Sequence, residues 1–202
     1  MDKRKKVLNH FRKADPTLFA ISKKVGINPI ETREPSYYFY ALCYDIIGQQ
    51  LAGAATKAIF SRFESLFPKG KITPRYAIGL SEKQIRNVGT SWAKARYIRD
   101  LAQKVSDGTL DLKSIEKLND EEAIERLVQV KGIGPWTAEM FLMFTMGRED
   151  IFSHGDLGLR KAIIKHYSLK ENVSRDKIEQ ITKKWSPYRT YACRVLWKSL
   201  EV

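Results

Sequence analysis

The sequence predicts an all-α fold, a compact bundle of about nine or ten helices in two lobes. Apolar residues recur at helical spacing along most of the chain, capping residues and glycines punctuate those runs, and no run alternates convincingly with period two. The chain has 202 residues, of which 43% are hydrophobic, so it can bury a real core. No Pro- or Gly-rich linker divides it, and we therefore expect one domain over residues 1–202.

The first half of the chain carries clear helix signals. Between residues 35 and 67 apolar residues follow helical spacing, and Gly48 marks the break between two helices. Ser81 and Gln84 form a capping box for a short helix. Ser91 can begin a longer helix after it.

The second half of the chain is predicted to hold at least four helices. Asn119 and Glu122 begin one with a pattern like a capping box, and Pro135 opens the next. Asp156 stands directly before a further apolar run. Ser186 and Pro187 are predicted to open the last helix.

The chain is strongly basic. Lys and Arg total 36 against 23 Asp and Glu, which gives a formal net charge of +13 and a pI of about 9.7. A polyanionic partner is the natural inference, although such a charge can also serve solubility alone.

The sequence argues against a metal site, a cysteine-ligand site, secretion and a membrane span. Cys43 and Cys193 lie in apolar helical patterns without ligand spacing, so both are predicted to be reduced core residues. His10, His154 and His166 show no metal spacing, and no metal site is expected. No signal peptide and no apolar run near the ~20 residues of a membrane span is present, so we expect a soluble, intracellular protein.

The stretch from Leu127 to Ala138 is the most informative in the sequence, because a helix, a Gly-Ile-Gly turn and a second helix follow within a dozen residues. Amides at the start of the second helix would point outward with the positive end of its dipole and could bind a phosphate oxygen. The alternative is an ordinary helical hairpin whose glycines satisfy turn geometry only.

This stretch resembles the helix-hairpin-helix motif, which binds DNA without sequence specificity. The resemblance implies a hairpin at the cleft between the two lobes that contacts the DNA backbone. The implied DNA-binding residues are Lys131, Gly132, Ile133, Gly134 and Thr137.

Asp156 follows the hairpin at about twenty residues, in Ser153-His154-Gly155-Asp156-Leu157. Glycosylases of the helix-hairpin-helix superfamily have their catalytic aspartate at this separation, and Asp156 matches it. The other interpretation is that Asp156 caps the helix that begins at Leu157. The two interpretations are compatible, because one carboxylate oxygen can accept from the backbone while the other faces a cleft.

Three further stretches, residues 46–51, 94–102 and 185–192, look like 3-methyladenine DNA glycosylase II sequences. With the hairpin, the resemblance spans roughly residues 35 to 200. It implies a monofunctional DNA N-glycosylase of base excision repair that flips alkylated purines out of the duplex and removes them hydrolytically, leaving an abasic site.

Trp136 bears on the mechanism, because strand-cleaving members of the superfamily place a lysine just after the hairpin. Trp136 stands at that position, so no amine nucleophile is available for β-elimination, no lyase activity is expected and water should attack. The two cysteines also exclude the four-cysteine iron–sulfur cluster of those relatives. Asp156 would then stabilise positive charge at the sugar C1′ and orient or deprotonate water.

The resemblance also implies a pocket for the flipped base. Trp136 and Trp197 match pocket tryptophans that could stack on a cationic ring, and Met140 stands where the family has a tyrosine. Either tryptophan could instead be a core residue, and Trp92 is predicted to be core outright.

Gln50 and Leu51 stand where relatives insert a side chain into the gap left by the flipped base. The alternative for Leu51 is a core leucine. The resemblance further implies an alkali cation on hairpin carbonyls around Lys131 and Ile133, and no other cofactor. We expect a monomer that binds double-stranded DNA.

Two rival functions remain open. A glycosylase for deaminated, oxidised or mismatched bases would share the same motifs. A non-enzymatic DNA-binding protein could use the hairpin alone, but it would gain nothing from a carboxylate at Asp156 that faces a phosphate backbone.

Overall fold

The computed structural model describes residues 2–202, and within them every regular element is helical, as the sequence predicts. In chain order the twelve α-helices are α1 (Lys3–Ala14), α2 (Pro16–Val25), α3 (Tyr38–Gly48), α4 (Gly53–Glu64), α5 (Pro74–Ala77), α6 (Glu82–Asn87), α7 (Trp92–Ser106), α8 (Asp120–Leu127), α9 (Pro135–Phe144), α10 (Leu157–His166), α11 (Arg175–Thr182) and α12 (Arg189–Lys198). Short 3-10 helices lie at Pro35–Tyr37, Pro68–Gly70, Ser114–Lys117 and Lys183–Trp185.

The helix count exceeds the predicted nine or ten, because some helices carry weak sequence signals. Helix α1 buries only Val7 and Phe11 among twelve residues, and α5 is a single turn of four residues. The last helix begins at Arg189, so the prediction that Ser186 and Pro187 open it is wrong. Ser186 has a ψ of 137°, which is not helical.

The predicted caps fold as expected from local chemistry. Capping boxes form at the starts of α6 and α8, where Ser81 pairs with Gln84 and Asn119 pairs with Glu122. The Ser91 side chain accepts from the amide of Lys94 at the start of α7.

The chain forms two compact units. The terminal unit combines the segment up to Thr32 with Leu142–Val202, and the central unit is Arg33–Phe141. The chain therefore leaves the terminal unit once and returns to it within α9.

In the central unit, α7 packs against α3, α5 and α6, and α3 also packs against α4. Fully or nearly fully buried side chains fill the space between these helices, among them Leu42, Ile46, Phe63, Ile85, Ile98 and Leu101. Because α7 contacts three other helices, its side chains can position groups on several of them.

In the terminal unit, α12 packs against α2 and α10, and α1 packs against α2. Its core includes Phe11, Leu18, Ile163, Trp185 and Leu196. Cys43 of the central unit and Cys193 of the terminal unit are both buried, as predicted.

One core prediction is wrong. Trp92 is the first residue of α7 and is 49% exposed, whereas the buried face of that helix begins one turn later at Ala95.

None of the helices formed by residues 2–202 combines the length and the apolar character needed to cross a membrane.

Candidate functional site

The hairpin runs from the end of α8 to the start of α9, and its apolar side chains anchor it. Val130 and Ile133 are 1% and 3% exposed. Lys131, which lies between them, and Gly134, which follows them, are exposed. The amide of Ile133 donates to the Val130 carbonyl at 3.0 Å, which closes a tight turn. The hairpin therefore buries Val130 and Ile133 and exposes Lys131 and Gly134 to solvent.

The two hairpin glycines have different roles. Gly132 has a φ of +83°, and a Cβ built there would lie 2.0 Å from Cδ2 of Tyr97, so only glycine fits beneath that ring. A Cβ at Gly134 would meet nothing within 4 Å. Packing thus requires Gly132, whereas Gly134 leaves its backbone open to an approaching molecule.

An acidic residue of α7 fixes the hairpin backbone. The amide of Lys131 donates to Oδ2 of Asp100 at 2.9 Å, and the Lys104 ammonium lies 2.7 Å from the same carboxylate. Burial alone would raise the pKa of Asp100, but the hydrogen bonds from Lys104 and from the Lys131 amide outweigh it and lower the pKa. Asp100 therefore remains a charged acceptor for the hairpin at neutral pH.

Gln49, at the end of α3, ties that helix to the hairpin. Its side-chain amide donates to the Gly132 carbonyl at 2.8 Å and to the Thr137 hydroxyl at 3.3 Å. Thr137 is only 6% exposed and Ile133 is also buried, so any contact of these two with DNA falls to their backbone atoms.

The turn after α3 presents the two predicted wedge residues. The Lys94 ammonium donates to the carbonyls of Ile47 and Gln49 at 2.8 and 2.6 Å, which holds the end of α3, and burial lowers the pKa of Lys94. Gln50 follows with a φ of 58°, a left-handed conformation that is strained for a residue with a side chain. Leu51 is 39% exposed, so the interpretation of Leu51 as a core leucine is wrong.

A cavity of about 350 Å³ lies in the central unit between α3, the turn after it and the start of α9. This volume falls within the range of small-ligand sites. Trp136 lines it and is 46% exposed, and Met140, one helical turn later, also lines it. The remaining lining residues are Tyr44, Asp45, Gly48, Gln49, Gln50, Leu51, Gly53, Thr56 and Thr137.

Asp156 is the N-cap of α10 in the terminal unit. Its Oδ1 accepts from the amide of Leu159 at 2.7 Å and from the indole Nε1 of Trp197 at 3.0 Å. The predicted capping role is therefore confirmed, and Asp156 is 9% exposed. Two donors on one oxygen fix the orientation of the carboxylate.

Gly158 leaves room for the hydrogen bond between Asp156 and Trp197. A Cβ at Gly158 would lie 3.1 Å from Oδ1 of Asp156 and 3.3 Å from Cδ1 of Trp197, so a larger residue would crowd both. The Trp197 ring packs against Phe144, with centroids 5.8 Å apart at 31°. Trp197 is half-buried, with one side held by this contact.

The predicted site residues thus fall into two groups. In the central unit the structure brings Gln50, Leu51, Trp136 and Met140 around one cavity. In the terminal unit it joins Asp156 to Trp197.

The sequence does not predict that Tyr97 and Asp100 support the hairpin, although both lie in the stretch 94–102 that resembles the family. Nor does the sequence predict that Asp45 lines the cavity. No local pattern marks a contact between residues thirty or more positions apart.

Comparison with known protein families matches residues 44–187 to the family described as "HhH-GPD superfamily base excision DNA repair protein". The chain belongs to this superfamily, and the kinship predicted from the sequence is confirmed.

Individual relatives agree with this membership. DNA-3-methyladenine glycosylase 1 of Schizosaccharomyces pombe is 31% identical over 193 residues, which cover 94% of this chain and 85% of the relative. The solved structure of an S. pombe 3-methyladenine DNA glycosylase in complex with abasic DNA superposes with a TM-score of 0.85 at 30% identity, covering 98% of this chain and 97% of the other. A DNA-3-methyladenine glycosidase from Bacillus halodurans gives a TM-score of 0.83 at 34% identity, covering 98% and 89%.

Proposed function

We propose that the protein is a monofunctional DNA N-glycosylase that hydrolyses the N-glycosidic bond of alkylated purines of the 3-methyladenine type and leaves an abasic site. The observation that carries the proposal is Asp156, a carboxylate oriented by Trp197 at the family's spacing after the hairpin. The names of the relatives support the same activity and substrate class.

The chemistry needs little more than one carboxylate. An alkylated purine already carries positive charge and leaves without a strong general acid, so the developing charge at the sugar C1′ is what must be stabilised. Asp156 supplies that negative charge and orients or deprotonates the attacking water. Trp136 stands where lyase members of the superfamily have a lysine, so the strand stays intact.

The hairpin and the turn after α3 supply the DNA-binding residues. The amides of Gly132, Gly134 and Thr137, with the exposed Lys131 side chain, bind DNA phosphates. The amides of Lys131 and Ile133 already donate within the chain and hold the turn. Gln50 or Leu51 fills the gap left by the flipped base, and the exposure of both supports this role.

Trp136 and Met140, which line the cavity of the central unit, bind the flipped base. Damaged bases are cheaper to unstack than sound ones. The protein acts as a monomer on double-stranded DNA.

An alkali cation fits carbonyl oxygens chemically. The Gly132 carbonyl already accepts from Gln49, so the carbonyls of Lys131 and Ile133 would hold the ion.

Incubation with methylated duplex DNA followed by hot alkali tests the activity. We expect alkali-labile breaks at methylated purines, no breaks before alkali, and DNA affinity that falls steeply as salt rises. A duplex panel carrying uracil, hypoxanthine or an oxidised base tests the rival substrate classes. Absence of alkali-labile sites on every duplex, with binding retained, would instead identify a non-enzymatic DNA-binding protein.

A further inference from the structure

The cavity of the central unit contains a carboxyl group that the proposed reaction does not use. Asp45, on α3, lines it together with the Trp136 indole and Met140. Asp45 is the one acidic side chain among the lining residues that the structure describes. The other polar side chains there belong to Tyr44, Gln49, Gln50, Thr56 and Thr137.

Within residues 2–202 no side chain or backbone group hydrogen-bonds to the Asp45 carboxyl, and no cation pairs with it. Burial raises the pKa of Asp45 to about 7, and burial is the one cause of the shift. Asp45 is half-buried, and no side-chain nitrogen or oxygen of the described residues is both fully buried and without a hydrogen-bond partner, so the Asp45 oxygens are accessible from the cavity. A carboxylate that is shielded from bulk water and lacks an ionic partner favours a cationic ligand in that cavity.

The charged groups on the helices packed against α3 are engaged elsewhere or face solvent. Lys94 of α7 donates to the carbonyls of Ile47 and Gln49. On α4, Arg62 donates to the Val88 carbonyl and Lys57 is exposed. On the same helix Glu64 raises the pKa of Tyr40, after the larger effect of burial. No cation of these helices therefore neutralises the Asp45 carboxylate.

We propose that Asp45 is a specificity-determining residue whose carboxylate receives the positive charge and a ring or exocyclic N–H of an alkylated purine bound in this cavity. The proposal rests on the function proposed above. Trp136 offers an aromatic face to the same cationic ring, so the cavity combines two groups that favour positive charge. A neutral base would leave the ionised carboxylate uncompensated.

The first test compares a cationic and a neutral lesion. Duplexes carrying one 7-methylguanine or one hypoxanthine are incubated with excess wild-type protein or Asp45→Asn under single-turnover conditions. Losing a hydrogen bond to a charge lowers 7-methylguanine release by about tenfold to a hundredfold. Hypoxanthine is neutral but also has a ring N–H, so its release should change much less.

The matched control is Asp107→Asn, which makes the same atomic and charge change at an exposed turn after α7. It leaves the ratio of the two release rates at the wild-type value. A general effect of net charge on DNA binding would shift both variants alike.

The second test uses pH and stability. Asp45 is protonated below its pKa, so wild-type release of 7-methylguanine should fall as pH drops through about 7. Asp45→Asn should lose this limb of the profile. Because the raised pKa means that ionised Asp45 costs stability as pH rises, the variant should also melt at a higher temperature than wild type at pH 8.

Each result decides the proposal. Equal losses on both lesions, an unchanged 7-methylguanine rate, a wild-type pH profile in Asp45→Asn, or a lower melting temperature of the variant at pH 8 would overturn it. If wild type releases 7-methylguanine but no hypoxanthine, the pH profile and the melting temperature decide. If wild type releases no base at all, the proposed function fails first, which separates the two failures.

Discussion

Asp15 and Asp156 occupy equivalent positions in the terminal unit. Each is the N-cap of a helix and accepts the amide of the residue three positions further on, Leu18 at 3.0 Å and Leu159 at 2.7 Å. Each also accepts an indole N–H. Asp15 is 5% exposed and Asp156 is 9% exposed, so local sequence and burial alone do not separate them.

The difference lies in the residues that surround the two carboxylates. Oδ1 of Asp15 caps its helix, and Oδ2 accepts from the Tyr167 hydroxyl at 2.7 Å and from Nε1 of Trp185 at 2.8 Å. Burial and the bond to Asp15 raise the pKa of Tyr167. Trp185 is fully buried, so this carboxylate is part of the core.

At Asp156 the amide of Leu159 and the indole of Trp197 both donate to Oδ1, and Trp197 is half-buried rather than fully buried. The same cap motif therefore joins Asp15 to an indole inside the core and Asp156 to an indole that stays partly exposed. This contrast predicts that one aspartate stabilises the protein and that the other carries the chemistry.

The largest effect is expected for Asp156→Asn. Asparagine can keep the bonds from Leu159 and Trp197 through its own side-chain oxygen but loses the negative charge. Release of 7-methylguanine should fall by about a thousandfold or more, while duplex binding and the melting temperature stay close to wild type. Single-turnover kinetics, binding titrations and thermal melts measure the three quantities. A parallel loss of binding would assign Asp156 to DNA recognition instead.

Asp15→Asn should act on stability. Its amide would place a donor against the Trp185 indole N–H and the Tyr167 hydroxyl, which costs about 2–4 kcal/mol. The melting temperature should fall by roughly 10 °C. Base release measured well below the new midpoint should stay near the wild-type rate. A large loss of release at that temperature would show that Asp15 also contributes to catalysis.

The two tryptophans that donate to these aspartates should differ in the same way, Trp197 affecting base release and Trp185 affecting stability. Trp197→Phe keeps a ring against Phe144 but removes the N–H that orients Asp156, so base release should drop about tenfold. Trp185→Phe should lower the melting temperature and leave release intact at low temperature. Comparing the two variants at one temperature checks this, and similar losses of release would mean that neither indole orients a catalytic group.

The smallest effects are expected at the hairpin glycines. Gly132→Ala forces a Cβ into Tyr97 at a positive φ and should destabilise the protein by about 1–2 kcal/mol. Gly134→Ala meets no neighbour, so it should keep stability but weaken duplex binding severalfold where backbone and phosphate approach. Melts and binding titrations separate the two, and unchanged binding in Gly134→Ala would remove this residue from the DNA contact.

Local signals account for what the sequence predicted. Gly132, Gly134 and Pro135 mark the hairpin, and the caps at Ser81 and Asn119 fix helix starts, because these effects act within four residues. The family resemblance then led to Asp156.

What the sequence did not predict depends on packing between distant segments. Tyr97 covers Gly132, Asp100 holds the Lys131 amide, and Asp45 faces a cavity that α9 helps to form. The prediction that Trp92 is a core residue is wrong, because an apolar residue at a helix start does not reveal which face the fold buries.

One experiment sets the two caps side by side. Single-turnover release of 7-methylguanine is measured for wild type, Asp15→Asn and Asp156→Asn on preparations whose melting curves are recorded, at a temperature below every midpoint. The account predicts a rate near wild type for Asp15→Asn despite its lower midpoint, and a rate about a thousandfold lower for Asp156→Asn despite its unchanged midpoint. Release by Asp156→Asn within about tenfold of wild type would contradict the assignment of the hydrolysis to Asp156.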